Sequence, residues 1–256
     1  MATTPKVVVI TGASAGIGKA CAEAFASAGC ALALGARRLE RLEELRDSLL
    51  RLGAPEVLCL ALDVCSAAST EAFATAVENR FAKVDLLLNN AGLAAGLSPV
   101  ATGLDADWQA MIDTNIYGLL RVTRRFLTGM LRLGQGHIVN MGSVAGFHTY
   151  ANGAVYAATK HAVRAITGAL RLELNGTAIR ISEIDPGMVE TEFSMVRLQN
   201  EAKAKAVYSG MTPLSAADVA DCVVFAASRP AHVNIDHILI MPTAQASIYK
   251  THREPA

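Results

Sequence analysis

The sequence predicts one doubly wound α/β domain, with a mostly parallel seven-stranded sheet and helices on both faces. Two observations carry this prediction: short apolar runs recur along the chain, and helical stretches separate them. The runs are continuous rather than alternating, which is typical of strands buried on both faces. Strands that alternate with helices imply parallel pairing through crossover helices. No linker, repeat or low-complexity segment interrupts the pattern, so a single domain over residues 1–256 is expected.

The predicted strands end in Gly, Asn, Asp or Pro, which are common turn residues. In chain order they are KVVVIT, ALALGA, VLCLALD, DLLLNN, GHIVNMGS, IRISEIDP and DHILIM. The first helix is predicted from Ile17, Cys21 and Phe25 at helical spacing, and Gly29 ends it. The next stretch, RLERLEELRDSLLRLG, repeats this spacing with leucines. A later helix is expected to begin at a capping box over residues 215–218, SAAD.

The composition argues against several classes of protein. Lys and Arg total 23, as do Asp and Glu, so no basic surface for nucleic acid is apparent. The longest uncharged stretches are rich in Gly, Asn, Ser and Thr, unlike membrane spans. The six histidines lack metal-site spacing, and the five cysteines are scattered. With no signal peptide apparent, we expect a cytoplasmic protein with reduced thiols and no metal, nucleic-acid or membrane partner.

The stretch TGASAGIG directly follows the first predicted strand and opens a helical pattern. Its glycines, Gly12, Gly16 and Gly18, have the spacing G-x-x-x-G-x-G. Glycine at a strand-to-helix turn lets the backbone approach a pyrophosphate, which the free N–H groups of the helix attract. The alternative is a tight turn that uses glycine for its geometry alone. The position after the first strand of a doubly wound sheet favours a dinucleotide site.

Further motifs follow the later strands. NNAG, residues 89–92, ends the fourth strand, Ser143 follows the fifth, and DPG, residues 185–187, follows the sixth. YAATK supplies Tyr156 and Lys160. This pair alone is weak evidence for a catalytic site, but it is strong evidence when it occurs with the other motifs. Together with TGASAGIG, these motifs resemble the short-chain dehydrogenase/reductase superfamily over essentially the whole chain. The resemblance implies a Rossmann fold and an oxidoreductase that acts on CH–OH groups.

The chemistry of alcohol oxidation explains these residue types. A base must take the hydroxyl proton while a hydride leaves from carbon, and free tyrosine, with a pKa near 10, is too weakly acidic to serve well. Lys160, one helical turn from Tyr156, supplies a positive charge that favours the phenolate. The resemblance further implies that Lys160 holds the nicotinamide ribose and that Ser143 hydrogen-bonds the substrate oxygen. It also implies that Asn115, in MIDTN, anchors a water in a proton relay.

The end of the second predicted strand indicates which cofactor is used. The stretch GARRLE has Ala36 where relatives that prefer NAD place an acid, followed by Arg37 and Arg38. Two guanidinium groups suit a 2′-phosphate, so NADP(H) is predicted. The alternative is that the arginines merely begin the next helix, although cations are disfavoured at a helix N-terminus.

The resemblance also assigns a set of cofactor contacts around the sheet edge, with Asp63 at the position that contacts adenine. In this sequence the matching positions are Gly12, Ser14, Gly16, Ile17, Gly18, Arg37, Arg38, Asp63, Val64, Asn89, Ala91, Gly92, Tyr156, Lys160, Pro186, Gly187, Val189 and Thr191.

A closer resemblance concerns one branch of the superfamily. DWQAMIDTN, GHIVNMGSVAG, VETEFSMVR and PAHVNIDHILIMPTAQ look like the NADP-dependent 3-hydroxy acid dehydrogenases, which include serine 3-dehydrogenases. This implies oxidation of small 3-hydroxy acids, or reduction of their semialdehydes, by a homotetramer. A reductase of other small carbonyls is the alternative within the enzyme class. A non-catalytic NADP-binding regulator is the alternative outside it.

A lid over the substrate is expected at about residues 188–212. Arg197 is its first basic residue, and we predict that it binds a substrate carboxylate. The other predicted substrate residues are Ser143 and Tyr156. The alternatives are an exposed arginine paired with an acidic residue of the lid, and Arg164 as a rival anchor. A 52% hydrophobic chain should not stay monomeric if the helices over residues 115–133 and 156–174 carry apolar residues on more than one face, and we predict a tetramer with these helices at an interface.

Overall fold

The chain folds around a seven-stranded sheet, which the computed structural model describes within residues 6–254. The strand order is β3-β2-β1-β4-β5-β6-β7, and every neighbouring pair is parallel. All seven predicted runs form strands, which confirms the predicted fold class. Their bounds are β1 Val7–Thr11, β2 Ala31–Ala36, β3 Val57–Ala61, β4 Leu86–Asn89, β5 Gly136–Met141, β6 Ile179–Pro186 and β7 His237–Ile240.

Helices cover both faces of the sheet. One apolar core joins it to α1, α2 and α9, and a second joins its other face to α3, α5 and α6. The predicted glycine stop and capping box are confirmed, since Gly29 follows α1 with φ +75° and Ser215 and Asp218 cap α9 reciprocally. The helix bounds are α1 Gly16–Ser27, α2 Leu39–Leu52, α3 Ala67–Arg80, α4 Asp105–Ile112, α5 Leu119–Leu133, α6 Ala154–Glu173, α7 Phe193–Leu198, α8 Glu201–Ala206 and α9 Ala216–Ala227.

The strand order reverses between β1 and β4, and this reversal positions the site. In open α/β sheets a crevice forms at such a point, outside the carboxyl ends of the strands. The central strands are buried along their length, whereas β7 alternates between exposed and partly buried residues because it lies at the edge. Across residues 6–254, the helices are all too short or too polar to cross a membrane.

Candidate active site

A cavity of about 770 Å³ opens at the carboxyl ends of the strands. One side of it is lined by the turn after β1 and the end of β2, and the other by the segment after β5 and the lid. The predicted lid, residues 188–212, contains two short helices, α7 and α8; its role as a lid stays a prediction. Apart from Gly18 and Asn89, the predicted cofactor and substrate residues converge on one cavity, although they come from segments as distant in the chain as the turn after β1 and residues 188–212.

The glycine turn after β1 has a backbone conformation that glycine adopts more readily than other residues. Gly12 and Gly16 adopt φ values of +66° and +54°, which side chains disfavour. A Cβ on Gly18 would lie 2.4 Å from the Gly12 carbonyl oxygen and 2.5 Å from Nδ2 of Asn90. Because no side chain fits there, the turn after β1 can pack closely on the first turn of α1. Gly18 itself lies beneath the turn, outside the cavity lining.

Asn90, rather than Asn89, lies at the cofactor side of the cavity. The Asn90 side chain donates to the carbonyl oxygens of Thr11 and Gly12, at 2.9 and 3.1 Å, and so holds the glycine turn. Asn89 is buried and donates instead to Thr123 and to the Asn140 side chain. Successive residues of a strand point to opposite faces, so only one of the two asparagines can face the cavity. This corrects the predicted contact at Asn89.

The predicted 2′-phosphate site contains more charged groups than the sequence motif. Arg37 is exposed at the end of β2, while Arg38 donates to the Ser14 hydroxyl at 3.3 Å and to Glu192 at 3.0 Å. Arg41, on α2, donates to Glu192 at 2.7 Å, and these bonds lower the pKa of the Glu192 carboxyl. The arginines therefore also contact the lid. The sequence does not predict the pairing of Arg41 with Glu192, because the two residues are 151 positions apart in the chain.

Tyr156 lies in the first turn of α6 and is buried at the cavity wall. Burial raises the pKa of its phenol to about 12. A hydrogen bond with Ser143 is the largest influence in the opposite direction, and the nearby charge of Arg197 also lowers this pKa. Ser143 begins a short turn after β5, where its hydroxyl accepts a hydrogen bond from the Ala145 N–H at 3.1 Å.

Lys160 follows one turn later on α6, with Nζ 5.9 Å from the centroid of the Tyr156 ring. The ammonium donates to the Met141 carbonyl oxygen at 2.8 Å. Burial lowers its pKa to about 8, against the opposing influence of the carboxylates of Glu183 and Asp185. The predicted effect of Lys160 on the Tyr156 phenol stays a prediction, since Ser143 and Arg197 are the groups that the structure shows lowering that pKa.

Asn115 lies outside the cavity lining, in a π-helical segment, Asp113–Gly118. Its side chain donates to the Leu93 carbonyl oxygen and the Thr159 hydroxyl, and accepts from the Leu93 N–H. Both amide hydrogens are therefore engaged within the protein. The structure assigns this side chain to holding the loop after β4 against α6, and its predicted role with a relay water stays a prediction.

Arg197 projects from α7 into the cavity. Its Nε donates to the Gly96 carbonyl oxygen at 3.1 Å, and its guanidinium carbon lies 5.4 and 5.5 Å from the ring centroids of Tyr150 and Tyr156. Within residues 6–254 no carboxylate forms a salt bridge with it, unlike the paired lid arginine considered as an alternative. Arg164 stacks on Phe147 and does not line the cavity.

The remaining predicted cofactor residues all line the cavity. The side chain of Asp63 accepts from the Cys65 N–H at 3.0 Å, which fixes its position after β3. This group comprises Ser14, Ile17, Asp63, Val64, Ala91, Gly92, Pro186, Gly187, Val189 and Thr191.

Residues 6–202 match the short chain dehydrogenase family. The chain belongs to this family. The NADP-dependent 3-hydroxy acid dehydrogenase YdfG of Salmonella typhi is 42% identical over 94% of this chain and 96% of its own length. Sulfoacetaldehyde reductase 2 of Chromohalobacter salexigens is 43% identical over 94% of this chain and 95% of its own. Among solved structures, the closed form of serine dehydrogenase complexed with NADP+ has a TM-score of 0.91 and 40% identity, with 97% of this chain and 100% of that chain covered.

Proposed function

We propose that this chain is an NADP(H)-dependent oxidoreductase of small 3-hydroxy acids, such as serine, 3-hydroxypropionate or 3-hydroxyisobutyrate, and of their semialdehydes. The observation that carries the substrate class is the position of Arg197, a partly buried cation beside the Tyr156 ring. A guanidinium binds a carboxylate through parallel hydrogen bonds, and more strongly where water is partly excluded. The aromatic rings of Tyr150 and Tyr156 provide this partial exclusion.

The cofactor is NADP(H), in agreement with the NADP-dependent relatives and the NADP+ complex among the similar structures. When bound, NADP+ accepts the hydride and NADPH donates it. The glycine turn would hold the pyrophosphate, Arg37 and Arg38 the 2′-phosphate, and Asp63 the adenine. The turn around Gly12 and Gly16, which lines the cavity with positive φ at both glycines, fits this assignment.

In the proposed reaction Tyr156 takes the hydroxyl proton during oxidation and returns it during reduction. The Ser143 hydroxyl, whose interaction with that phenol lowers the Tyr156 pKa, holds the substrate oxygen as its charge changes. Lys160 would hold the nicotinamide ribose, and Arg197 would orient the carboxylate so that the reacting carbon faces the cofactor. A non-catalytic regulator would need only the glycine turn and the arginines, so this catalytic set favours an enzyme.

Sulfoacetaldehyde reduction is the second candidate activity. Two relatives that are 42% and 43% identical carry this name, and a sulfonate is an anion that the Arg197 guanidinium could also bind. The two activities share the chemistry at the carbonyl and differ in the anion, which is planar in a carboxylate and tetrahedral in a sulfonate.

A screen of NADP+ reduction tests the proposal. The substrates are serine, 3-hydroxypropionate, 3-hydroxyisobutyrate, 2-hydroxyethanesulfonate and simple secondary alcohols, with NAD+ in a parallel series. We expect the highest kcat/KM with NADP+ and a 3-hydroxy acid. Preference for the sulfonate would select the second candidate. Preference for a neutral alcohol would contradict both, and would favour a reductase of other small carbonyls.

We also propose that the protein is a homotetramer, with α5 and α6 at an interface. Leu120, Leu131 and Leu133 on α5 are exposed, as is Leu172 on α6 at 81% exposure, which supports burial against another copy. Multi-angle light scattering should therefore give about four times the chain mass of 26.9 kDa. A single-chain mass at micromolar concentration would contradict this proposal. The cytoplasmic location stays a prediction.

A further inference from the structure

Two acidic side chains that the proposed mechanism does not use lie directly beneath the site. Glu183 and Asp185 are alternate residues of β6, so they point to the same face of the sheet, and they are only 2% and 0% exposed. Oδ1 of Asp185 accepts a hydrogen bond from the backbone N–H of Ser143 at 3.1 Å. Oδ2 of Asp185 and Oε1 of Glu183 are buried without any hydrogen-bond partner within residues 6–254. Buried carboxylates with an unsatisfied oxygen are costly, so this pair requires an explanation.

The two carboxyl groups converge on one point. A Cβ placed on Gly142 would lie 2.0 Å from Oδ1 of Asp185 and 2.7 Å from Oε1 of Glu183. Only glycine leaves space for both side chains at this place. Two carboxylates held this closely in a buried site cannot both stay ionised. The pKa of Asp185 is accordingly raised to about 8, first by burial and then by the charge of Glu183.

Titratable groups come from the elements that pack against β6. Lys160 comes from α6, where burial lowers its pKa and the charges of both carboxyl groups partly oppose this effect. Arg164, also on α6, stacks on Phe147 at 3.8 Å. His237 is in register with Glu183 on β7, and its ring centroid lies 5.8 Å from that of Phe147. On β5, the residue in register with Glu183 is the neutral Asn140. Lys160 is the only buried cation of this set.

We propose that Glu183 and Asp185 share one proton and act as a single buried negative charge, which keeps Lys160 protonated and holds the Ser143 loop in position. They are positioning residues that act through Lys160 and Ser143. For the roles of those two residues the inference rests on the proposed function.

Charge balance favours one shared proton over the other two states. With no proton, two negative charges would be buried beside one ammonium. With two protons, the Lys160 ammonium would be buried with no neighbouring negative charge. One proton makes the group of three side chains neutral, which is the least costly state in a site from which water is excluded.

The first test needs no substrate. Glu183→Gln and Asp185→Asn each replace the shared proton by an amide N–H that can donate to the remaining carboxylate. In wild-type protein the infrared spectrum at pH 7 should contain the C=O band of a protonated carboxylic acid, and both variants should lack it. An unchanged band in the two variants, or no band in wild-type protein, would overturn the proposal.

Thermal unfolding supplies a second measurement. Burial and the charge of Glu183 raise the pKa of Asp185 to about 8 in the native state, whereas an unfolded carboxyl group loses its proton near pH 4. The native state therefore binds more protons in this interval, and stability falls as pH rises through it. The loss of stability with rising pH should be smaller in Glu183→Gln. The difference between the Tm of the variant and the Tm of wild type should therefore increase from pH 5 to pH 8. Parallel Tm curves would contradict a shared proton.

The link to Lys160 is tested by the pH profile of kcat. Each single variant keeps one carboxylate, so the alkaline limb should stay within about 0.3 pH units of the wild-type limb. The double variant Glu183→Gln/Asp185→Asn has no negative charge left beside Lys160, so its alkaline limb should move to lower pH by about one unit. The sum of the two single-variant shifts would predict a smaller movement. Additive shifts would overturn the coupling.

Thr167→Val is the matched control, because it removes a buried hydrogen bond to Asn140 on the same face without changing charge. It should leave the alkaline limb in place, and a shift as large as that of the double variant would assign the effect to packing. If no substrate is turned over, the proposed function fails, while the infrared and unfolding experiments still decide whether the proton is shared.

Discussion

The proposed cofactor half and the proposed substrate half of the cavity are shaped by different parts of the protein. In the cofactor half, backbone conformation does the shaping: Gly12 and Gly16 have positive φ, and the Asn90 side chain holds the turn through carbonyl oxygens. In the substrate half, side chains from distant segments meet. Arg197, for example, donates to Gly96 across 101 residues of sequence. The cofactor half therefore depends mainly on backbone conformation in the turn after β1, and the substrate half on how residues 188–212 pack.

This difference bears on how specificity is distributed. Relatives that are 42% and 43% identical carry the names of a 3-hydroxy acid dehydrogenase and a sulfoacetaldehyde reductase. A glycine turn that tolerates no Cβ cannot vary without loss of the cofactor site, whereas lid side chains can change one at a time. We therefore expect variants in the two halves to have separable effects on cofactor and substrate.

Tyr156→Phe should have the largest effect, because Tyr156 lies where the halves meet. The ring and its packing remain while the acid/base hydroxyl is lost, so turnover should fall at least about a hundredfold. NADPH affinity, measured by fluorescence titration, should stay within about threefold of wild type. Retention of more than a tenth of wild-type turnover would mean that another group is the base.

Exchange of the groups at the end of β2 should alter the cofactor half alone. Ala36→Asp with Arg37→Leu introduces an acid for ribose hydroxyls and removes one phosphate partner. The NADPH to NADH ratio of kcat/KM should fall by about a hundredfold, since two charge-assisted interactions of roughly 1.5 kcal/mol are involved. The substrate KM should be retained. Equal efficiency of wild-type enzyme with both cofactors would refute the assignment of the arginines.

Arg197→Met should alter the substrate half alone. The KM for 3-hydroxy acids should rise about tenfold or more, while the corresponding amides or esters, which lack the charge, should change less than about threefold. The positive charge lowers the pKa of Tyr156, so its removal should move the acid limb of the oxidation profile to higher pH.

Arg164→Met serves as the control for this variant, since Arg164 is outside the cavity lining. It should leave the KM values for charged and neutral substrates unchanged. Equal losses for the two classes of substrate in Arg197→Met would mean that Arg197 only shapes the lid.

Glu192→Gln should have the smallest effect, and it tests whether the halves are fully separate. Glu192, on the lid, pairs with Arg38 and Arg41, but its side chain is 49% exposed. Exposed ion pairs contribute little, so the substrate KM with NADPH should rise only about two- to fivefold. Combination with Arg41→Gln should add nothing further, because the same interaction is already lost. An effect that persists at high salt would contradict an ion-pair origin.

The sequence alone determined the strands, their parallel pairing and the position of the glycine turn. These depend on local features, namely continuous apolar runs, glycines at helix ends and turn residues after each strand, which act over a few residues. The motif residues Ser143, Tyr156 and Lys160 were also assigned to one site, and the structure brings them to one cavity. Parallel strands place all their carboxyl ends at the same edge, so residues that follow different strands meet there.

Only the tertiary structure decided between Asn89 and Asn90, because the direction of each side chain depends on the register of β4 against β5. The tertiary structure also showed that Glu192 pairs with Arg38 and Arg41. It placed Arg197 beside Tyr156 and brought Glu183 and Asp185 together next to Gly142. Each of these arrangements is a contact between side chains, most of them far apart in the chain, and their energies depend on distance and on exclusion of water. Those two quantities are set by packing, which no local pattern of residue types encodes.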